Sequence, residues 1–204
     1  RTEGPRAVTD QPTGAPAIMG EETIFAGWNR LLMVSARTAR GTAIRRSVEH
    51  HGDAAAVLPF DPDRRVATLV RQLRVALLYA HGKPSSLEVP AGVLDGDAPD
   101  VCAVRETMEE AGIALKGVIA VAGTFPMSGV STEQIHLFLA EYSAADRVGV
   151  GGGLVEESEE IEVVEVPLAD LAAMADAGTL TDLKTFALVQ SLRLRRPELF
   201  SSGG

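Results

Sequence analysis

Residues 88–113 constrain this chain more than any other stretch: Glu-Val-Pro-Ala-Gly-Val-Leu-Asp-Gly-Asp-Ala-Pro-Asp-Val-Cys-Ala-Val-Arg-Glu-Thr-Met-Glu-Glu-Ala-Gly-Ile. They read as a tight loop feeding a charged helix. Pro99 suits the first helical turn, where its missing N–H costs nothing, Asp97 or Asp100 can serve the free amides there, and Gly112 supplies the stop. Val101, Val104, Met108 and Ala111 recur at helical spacing between those signals, which predicts that this face packs on a core. Glu106, Glu109 and Glu110 fall at i, i+3 and i+4 on another face, where three carboxylates repel one another. One resolution is a solvated face relieved by Arg105, whose pairing with Glu109 four residues on is worth about 0.3–0.5 kcal/mol. The other is a hard divalent cation, Mg²⁺ or Mn²⁺, which takes carboxylate oxygens and keeps several waters.

The residues around the glutamates favour the cation. Gly92, Arg105-Glu106, Glu109-Glu110 and Gly112-Ile113 resemble the Nudix box, in which a glycine loop precedes a helix carrying an Arg-Glu pair and a Glu-Glu pair. From Arg105 onward only Thr107, in an apolar slot, departs from that pattern. Further forward, the stretch between Gly92 and Arg105 is one residue short and an early Glu is missing, so that either Asp97 replaces it or Ala98 occupies its place. A calcium loop of the EF-hand kind, with Asp95, Asp97 and Glu106 as ligands, fails because its turn position needs Gly and carries Asp100.

With 204 residues and 46% apolar content, the chain can bury one substantial core. A net charge of −9 argues against a nucleic-acid backbone or an anionic membrane as the main partner. Cys102 stands alone, so no intrachain disulfide framework exists, and it reads as a small packing residue rather than a nucleophile. No run approaches the roughly 20 apolar residues of a membrane span and no signal-peptide pattern opens the chain, so the expected location is cytoplasmic.

Residues 1–16 carry Pro5, Pro12 and Pro16 without periodicity and read as a loose tail; residues 17–52 read as an N-terminal β region, and 53–200 as the main domain. Ala54 to Phe60 and Arg65 to Leu73 flank Asp61-Pro62-Asp63 and predict a β-hairpin. Its second arm ends in Arg71-Gln72-Leu73-Arg74, which on its own is a surface strand end. After the box, Val118 to Phe125 and Gln134 to Tyr142 read as strands, with a helix after Pro167 and another starting at Thr181 or Asp182. Arg193, Arg195 and Arg196 fit the C-terminal end of that last helix. His50 and His51 show no partner in the sequence. The Gly149–Gly153 stretch with its following acids reads, taken alone, as a mobile loop.

The resemblance covers roughly residues 40–190 and implies an α/β (α+β) fold, the Nudix-type α/β/α sandwich with a mixed sheet. It implies an N-terminal β region that promotes a homodimer. It also implies a Mg²⁺-dependent hydrolase, Mn²⁺ being an alternative, of the branch acting on nucleoside diphosphate sugars such as GDP-mannose or ADP-ribose. Carried onto this sequence, Glu106, Glu110, Glu159 and the Ala91 carbonyl take metal positions, while Glu109 supports catalysis and Arg105 orients a box glutamate. Glu157 takes the general-base position, with Glu156 and Glu160 as alternatives, on a loop whose closure would exclude bulk water. Arg71 and Arg74 take substrate contacts, since a guanidinium fork suits a diphosphate oxygen pair, Glu88 takes a substrate or additional metal contact, and Trp28 or Phe25 offers a face for a base. The loop 127–133 resembles one that lies over the substrate. A second functional class stays open, a Nudix-like module that binds nucleotide sugars without cleaving them, because the early Glu is missing.

Overall fold

A computed structural model describes residues 14–154 and 160–201. The chain divides into two compact units: the N-terminal stretch to His51 together with Met127–Glu133, and Gly52–Pro126 together with Gln134 onward.

In the first unit β1 (Ala17–Ala26), β2 (Arg30–Arg37) and β3 (Ala43–His50) form an antiparallel sheet in the order β1-β2-β3. Its turns fall at Gly27–Asn29 and Gly41. Segment 127–133 is tied to the end of β3: Glu49 N–H donates to Val130 O at 2.7 Å and Thr132 N–H to Glu49 O at 3.0 Å. Leu32 is the one buried apolar side chain among the described residues of this unit, whereas Ile18, Met19, Ile24 and Phe25 on β1 are exposed.

The second unit is built on β4 (Ala54–Asp61), whose run Ala-Ala-Ala-Val-Leu-Pro-Phe-Asp is buried throughout. Such a run is apolar on both sides because both faces of the strand are covered. Ala56, Leu58 and Phe60 point to one core, Ala55 and Val57 to the other. The remaining strands are β5 (Val66–Arg71), β6 (Ala91–Val93), β7 (Ile119–Thr124), β8 (Ile135–Glu141) and β9 (Glu162–Pro167). They order as β7-β8-β4-β5-β9 with β6 on β4, and the β4–β8 pair is parallel, so the sheet is mixed. One face carries α2 (Pro99–Ala111) through Cys102, Ala103 and Ala111; the other carries α3 (Leu168–Asp176) and α4 (Leu183–Arg195) through Leu168, Leu171, Leu188 and Leu192. Each fully buried leucine contributes roughly 1.5–3 kcal/mol. The result is the α/β/α sandwich with a mixed sheet that the sequence predicts.

One detail of pairing positions the site. β4 and β5 pair only beside their turn, at Phe60 with Ala67 and Asp61 with Val66, and then diverge. Residues 88–93 wedge into the gap: Glu88 exchanges both backbone bonds with Val70 of β5 at 2.8 and 2.9 Å, Val57 N–H donates to Pro90 O at 3.0 Å, and Ala91–Val93 pair with Ala54–Ala56. A short helix, α1 (Val75–His81), precedes this wedge. It has no counterpart in the sequence reading, and its reason is local: it lacks a side-chain cap and buries no residue, so neither a capping signal nor an amphipathic stripe announces it.

Candidate active site

Helix α2 starts at Pro99 and ends at Gly112, which adopts the left-handed conformation at φ 69° and caps it through its N–H to Met108 O. Two expectations about this helix need correction. Neither Asp97 nor Asp100 caps its first turn, since Ala98 is the N-cap without a side-chain bond and the Asp97 carboxylate is taken by Arg105 Nε at 3.2 Å. The buried face is also rotated: Cys102, Ala103, Thr107, Glu110 and Ala111 face inward, while Val101 and Met108 remain 53% and 41% exposed. Small residues at Cys102, Ala103 and Ala111 let the helix approach the sheet closely. Thr107 is tolerated in its apolar slot because its hydroxyl donates to Ala103 O at 2.7 Å. Cys102 is a packing residue, as expected; burial pushes its thiol up to about 11, and the neutral thiol donates to Val93 O at 3.4 Å.

The rotation turns the glutamates toward the wedge. Glu110 is 1% exposed and accepts from the Ala91 N–H at 3.1 Å and from Gln72 Nε2 at 3.4 Å. Glu106 lies under Gly92, where a Cβ would overlap its carboxylate, so the glycine is a requirement of close approach. Arg105 holds the outer side, with Nη1 at 2.7 Å from Glu106 and 3.1 Å from Glu109, Nε on Asp97 and Nη2 donating to Val93 O at 3.3 Å. Burial works against its charge, yet Glu106 and Asp97 raise its pKa further.

Three carboxylates, Asp97, Glu106 and Glu109, thus share one guanidinium, Glu110 stands on the Ala91 amide beside them, and the donor set is hard oxygen. Those donors fit Mg²⁺ or Mn²⁺ in chemistry. Among the described residues no three His, Cys, Asp or Glu side chains already stand as a ligand set, since Arg105 and the Ala91 and Gln72 amides occupy oxygens that a cation would take. Glu157 and Glu159, given base and metal positions, lie outside the described residues, as does Glu156; Glu160 is exposed.

The arginines before the box part company. Arg71 ends β5, exposed and 3.6 Å from Glu162. Arg74 grips Glu88 with Nε and Nη2 at 3.0 and 2.8 Å, and the negative charge of Glu110 also acts on it. Glu88 is 3% exposed and takes a second cation, Lys184 Nζ at 2.6 Å, which also reaches Asp182 at 2.8 Å. Burial pushes the Glu88 carboxyl up, but Arg74 and Lys184 outweigh it and hold it at about 2. Asp182 caps α4 by accepting from Thr185 N–H at 2.9 Å, and the Thr185 hydroxyl accepts from Val89 N–H at 2.8 Å. Sequence reasoning missed Lys184. Its signal was a cation in the first turn of a helix, where the dipole disfavours it and a carboxylate partner is implied.

The glycine run has partners of its own. Gly152 N–H donates to Glu110 O at 2.9 Å and Gly153 N–H to Glu109 O at 3.2 Å, so the run docks on the end of α2. In the first unit, Trp28 is 79% exposed and stacks on His51 with ring centroids 5.0 Å apart. His51 bonds Glu49 at 2.7 Å and His50 bonds Thr132 at 2.8 Å, so both histidines acquire the partners that the sequence did not reveal.

A helix turn of glutamates packed on a glycine-containing loop, inside an α/β/α sandwich, defines a hydrolase class that generally requires a divalent metal. The chain belongs to the Nudix family, whose NUDIX domain matches residues 50–188. It is 40% identical over 153 residues to a GDP-mannose pyrophosphatase of Cronobacter sakazakii, covering 74% of this chain and 78% of that protein. Similar relatives of the same name come from Enterobacter sp., 36% identical over 152 residues (74% and 78% covered), and Citrobacter koseri, 37% over 150 residues (72% and 77%). The fold matches a solved ADP compounds hydrolase with a TM-score of 0.71 at 16% identity, covering 90% of this chain and 95% of that one. Among the described residues no helix is long and apolar enough to cross a membrane.

Proposed function

We propose that this chain hydrolyses the diphosphate of a nucleoside diphosphate sugar to a nucleoside monophosphate and a sugar phosphate. GDP-mannose is the preferred substrate on the strength of the relatives' shared name, with ADP-ribose the nearest competitor. The observation that carries the reading is the packing of Glu106 and Glu110 against Gly92 and the Ala91 amide. Glu106, Glu110, Glu159 and the Ala91 carbonyl would hold Mg²⁺, with Mn²⁺ able to replace it. When bound, the ion neutralises charge on the diphosphate oxygens and acidifies a water.

The remaining roles belong to side chains. Arg105 bonds Glu106 and Glu109 together and so fixes their carboxylates. Glu157 takes the proton of the attacking water as the bond from phosphorus to the bridging oxygen breaks. Glu88 pins Arg74 through Nε and Nη2, which leaves Nη1 as the part of the guanidinium to meet a diphosphate oxygen, with Arg71 as a second cation. Trp28 offers an exposed ring on which a base can stack. The N-terminal region, residues 17–52, acts in a homodimer, because a three-stranded sheet with one buried apolar residue needs a further apolar surface.

Product analysis with Mg²⁺ and a panel of GDP-mannose, ADP-ribose, UDP-glucose and NADH tests the reading. GMP and mannose 1-phosphate are the expected main products. Binding without cleavage of any of the four would assign the chain to the non-catalytic class.

A further inference from the structure

The run Gly149–Gly153 has no part in the chemistry above, yet it is bound more tightly than a connecting loop requires. Val148 and Gly149 N–H both donate to Gly112 O, at 2.9 and 3.0 Å, before Gly152 and Gly153 take the carbonyls of Glu110 and Glu109. Those carbonyls lie in the last turn of α2 and have no partner within the helix. Gly112 and Ile113 close α2 onto other carbonyls, Met108 O at 3.0 Å and Thr107 O at 3.4 Å, so those of Glu109 and Glu110 fall to Gly153 and Gly152.

The approach is also sterically specific. A Cβ on Gly151 would overlap the Glu110 carbonyl oxygen and stand 2.8 Å from Ala111 Cα, and one on Gly112 would overlap Gly149 O. Gly151, Gly152 and Gly153 hold φ of 68°, 113° and 78°, a region other residues adopt at a cost. Ile161 N–H donates to Gly152 O at 3.3 Å, so the chain leaves and returns at the residue that binds the Glu110 carbonyl.

We propose that Gly151–Gly153 is a positioning strap: by binding the main chain of Glu109 and Glu110 it sets where their carboxylates stand, and Gly151 is the residue that permits the contact. The strap acts through α2 and touches neither metal nor substrate. Its catalytic consequence rests on the functional reading above; its consequence for metal binding does not.

The test uses the full chain with Gly151→Ala, Gly152→Ala and, as a control, Gly117→Ala, whose Cβ meets nothing within 4 Å. Far-UV circular dichroism and thermal melting establish folding, and the electron paramagnetic resonance signal of free Mn²⁺ measures metal affinity. Gly151→Ala is expected to weaken Mn²⁺ binding about ten-fold or more, as loss of groups that orient ligands does. It should lower kcat about ten-fold or more while KM for GDP-mannose stays within about three-fold. A folded Gly151→Ala with Mn²⁺ affinity and kcat within about two-fold of the parent overturns the proposal. If that variant does not fold, Gly152→Ala decides, since it strains the backbone without overlap: an Mn²⁺ affinity loss of about three-fold or more supports the strap and a smaller one overturns it. If the parent cleaves no nucleotide sugar, the functional reading fails and the Mn²⁺ comparison alone still decides.

Discussion

Replacing Glu88 by Gln keeps the shape of a buried side chain and removes only its charge. Two cations close on that carboxylate, Arg74 through two bonds and Lys184 at 2.6 Å. Its pKa of about 2 against an ordinary 4.5 corresponds to about 3 kcal/mol of stabilisation of the folded state. Arg74 is partly exposed and solvent screens it, and Lys184 keeps Asp182 at 2.8 Å, so a loss of about 2 kcal/mol is expected for Glu88→Gln at neutral pH. For a chain of this size that lowers Tm by about 4–8 °C. The sign with pH follows from the depressed pKa: the stabilisation is fully present above pH 4.5 and is lost as pH falls toward 2. Parent and variant should therefore differ at pH 7 and converge through that acid window. Urea unfolding followed by far-UV circular dichroism measures the gap; Trp28, the single tryptophan, belongs to the N-terminal unit and would report on the wrong region. A variant within about 0.5 kcal/mol of the parent at pH 7, or a gap unchanged down to pH 3, would refute the reasoning.

Other substitutions separate the remaining parts of the site. Gly92→Ala places a Cβ into the Glu106 carboxylate and should lower kcat about 100-fold with little change in Tm, since the flexible carboxylate moves aside; unchanged steady-state kinetics would contradict this. Thr185→Val leaves the buried Val89 N–H without its acceptor and should cost about 1–3 kcal/mol in the same urea assay, with no loss meaning that the bond is dispensable. Glu157→Gln should reduce kcat by about 10²–10⁴, and turnover within a few fold of the parent removes the base assignment.

Much of the architecture was legible because its signals are local. The buried run of β4, the Asp61-Pro62-Asp63 turn, Pro99 and Gly112 around α2, and Asp182 before α4 each act within a few residues. The face of α2 was not, because helical spacing of Val101 and Met108 says which residues align but not which way the stripe turns. That choice is made by Glu110 and Glu106 against the wedge, a tertiary demand that outweighs two exposed apolar side chains. The residues around Glu110 favoured a cation, but its burial against the Ala91 amide and the clamp of Glu88 by Lys184, nearly a hundred positions away, lay beyond any local pattern. At Gly151 the structural requirement is close approach to the Glu110 carbonyl, a contact between segments about forty positions apart that no local pattern shows. Glu157 and Glu159 are placed only by their resemblance to a family pattern.

The proposed hydrolysis depends on box carboxylates that gather a divalent cation. Titration of the full chain with Mn²⁺, followed by electron paramagnetic resonance, compares the parent with Glu106→Gln and Glu110→Gln. Saturable binding by the parent, weakened about ten-fold or more in either variant while both remain folded, is the predicted result. Equal Mn²⁺ binding by all three would contradict it.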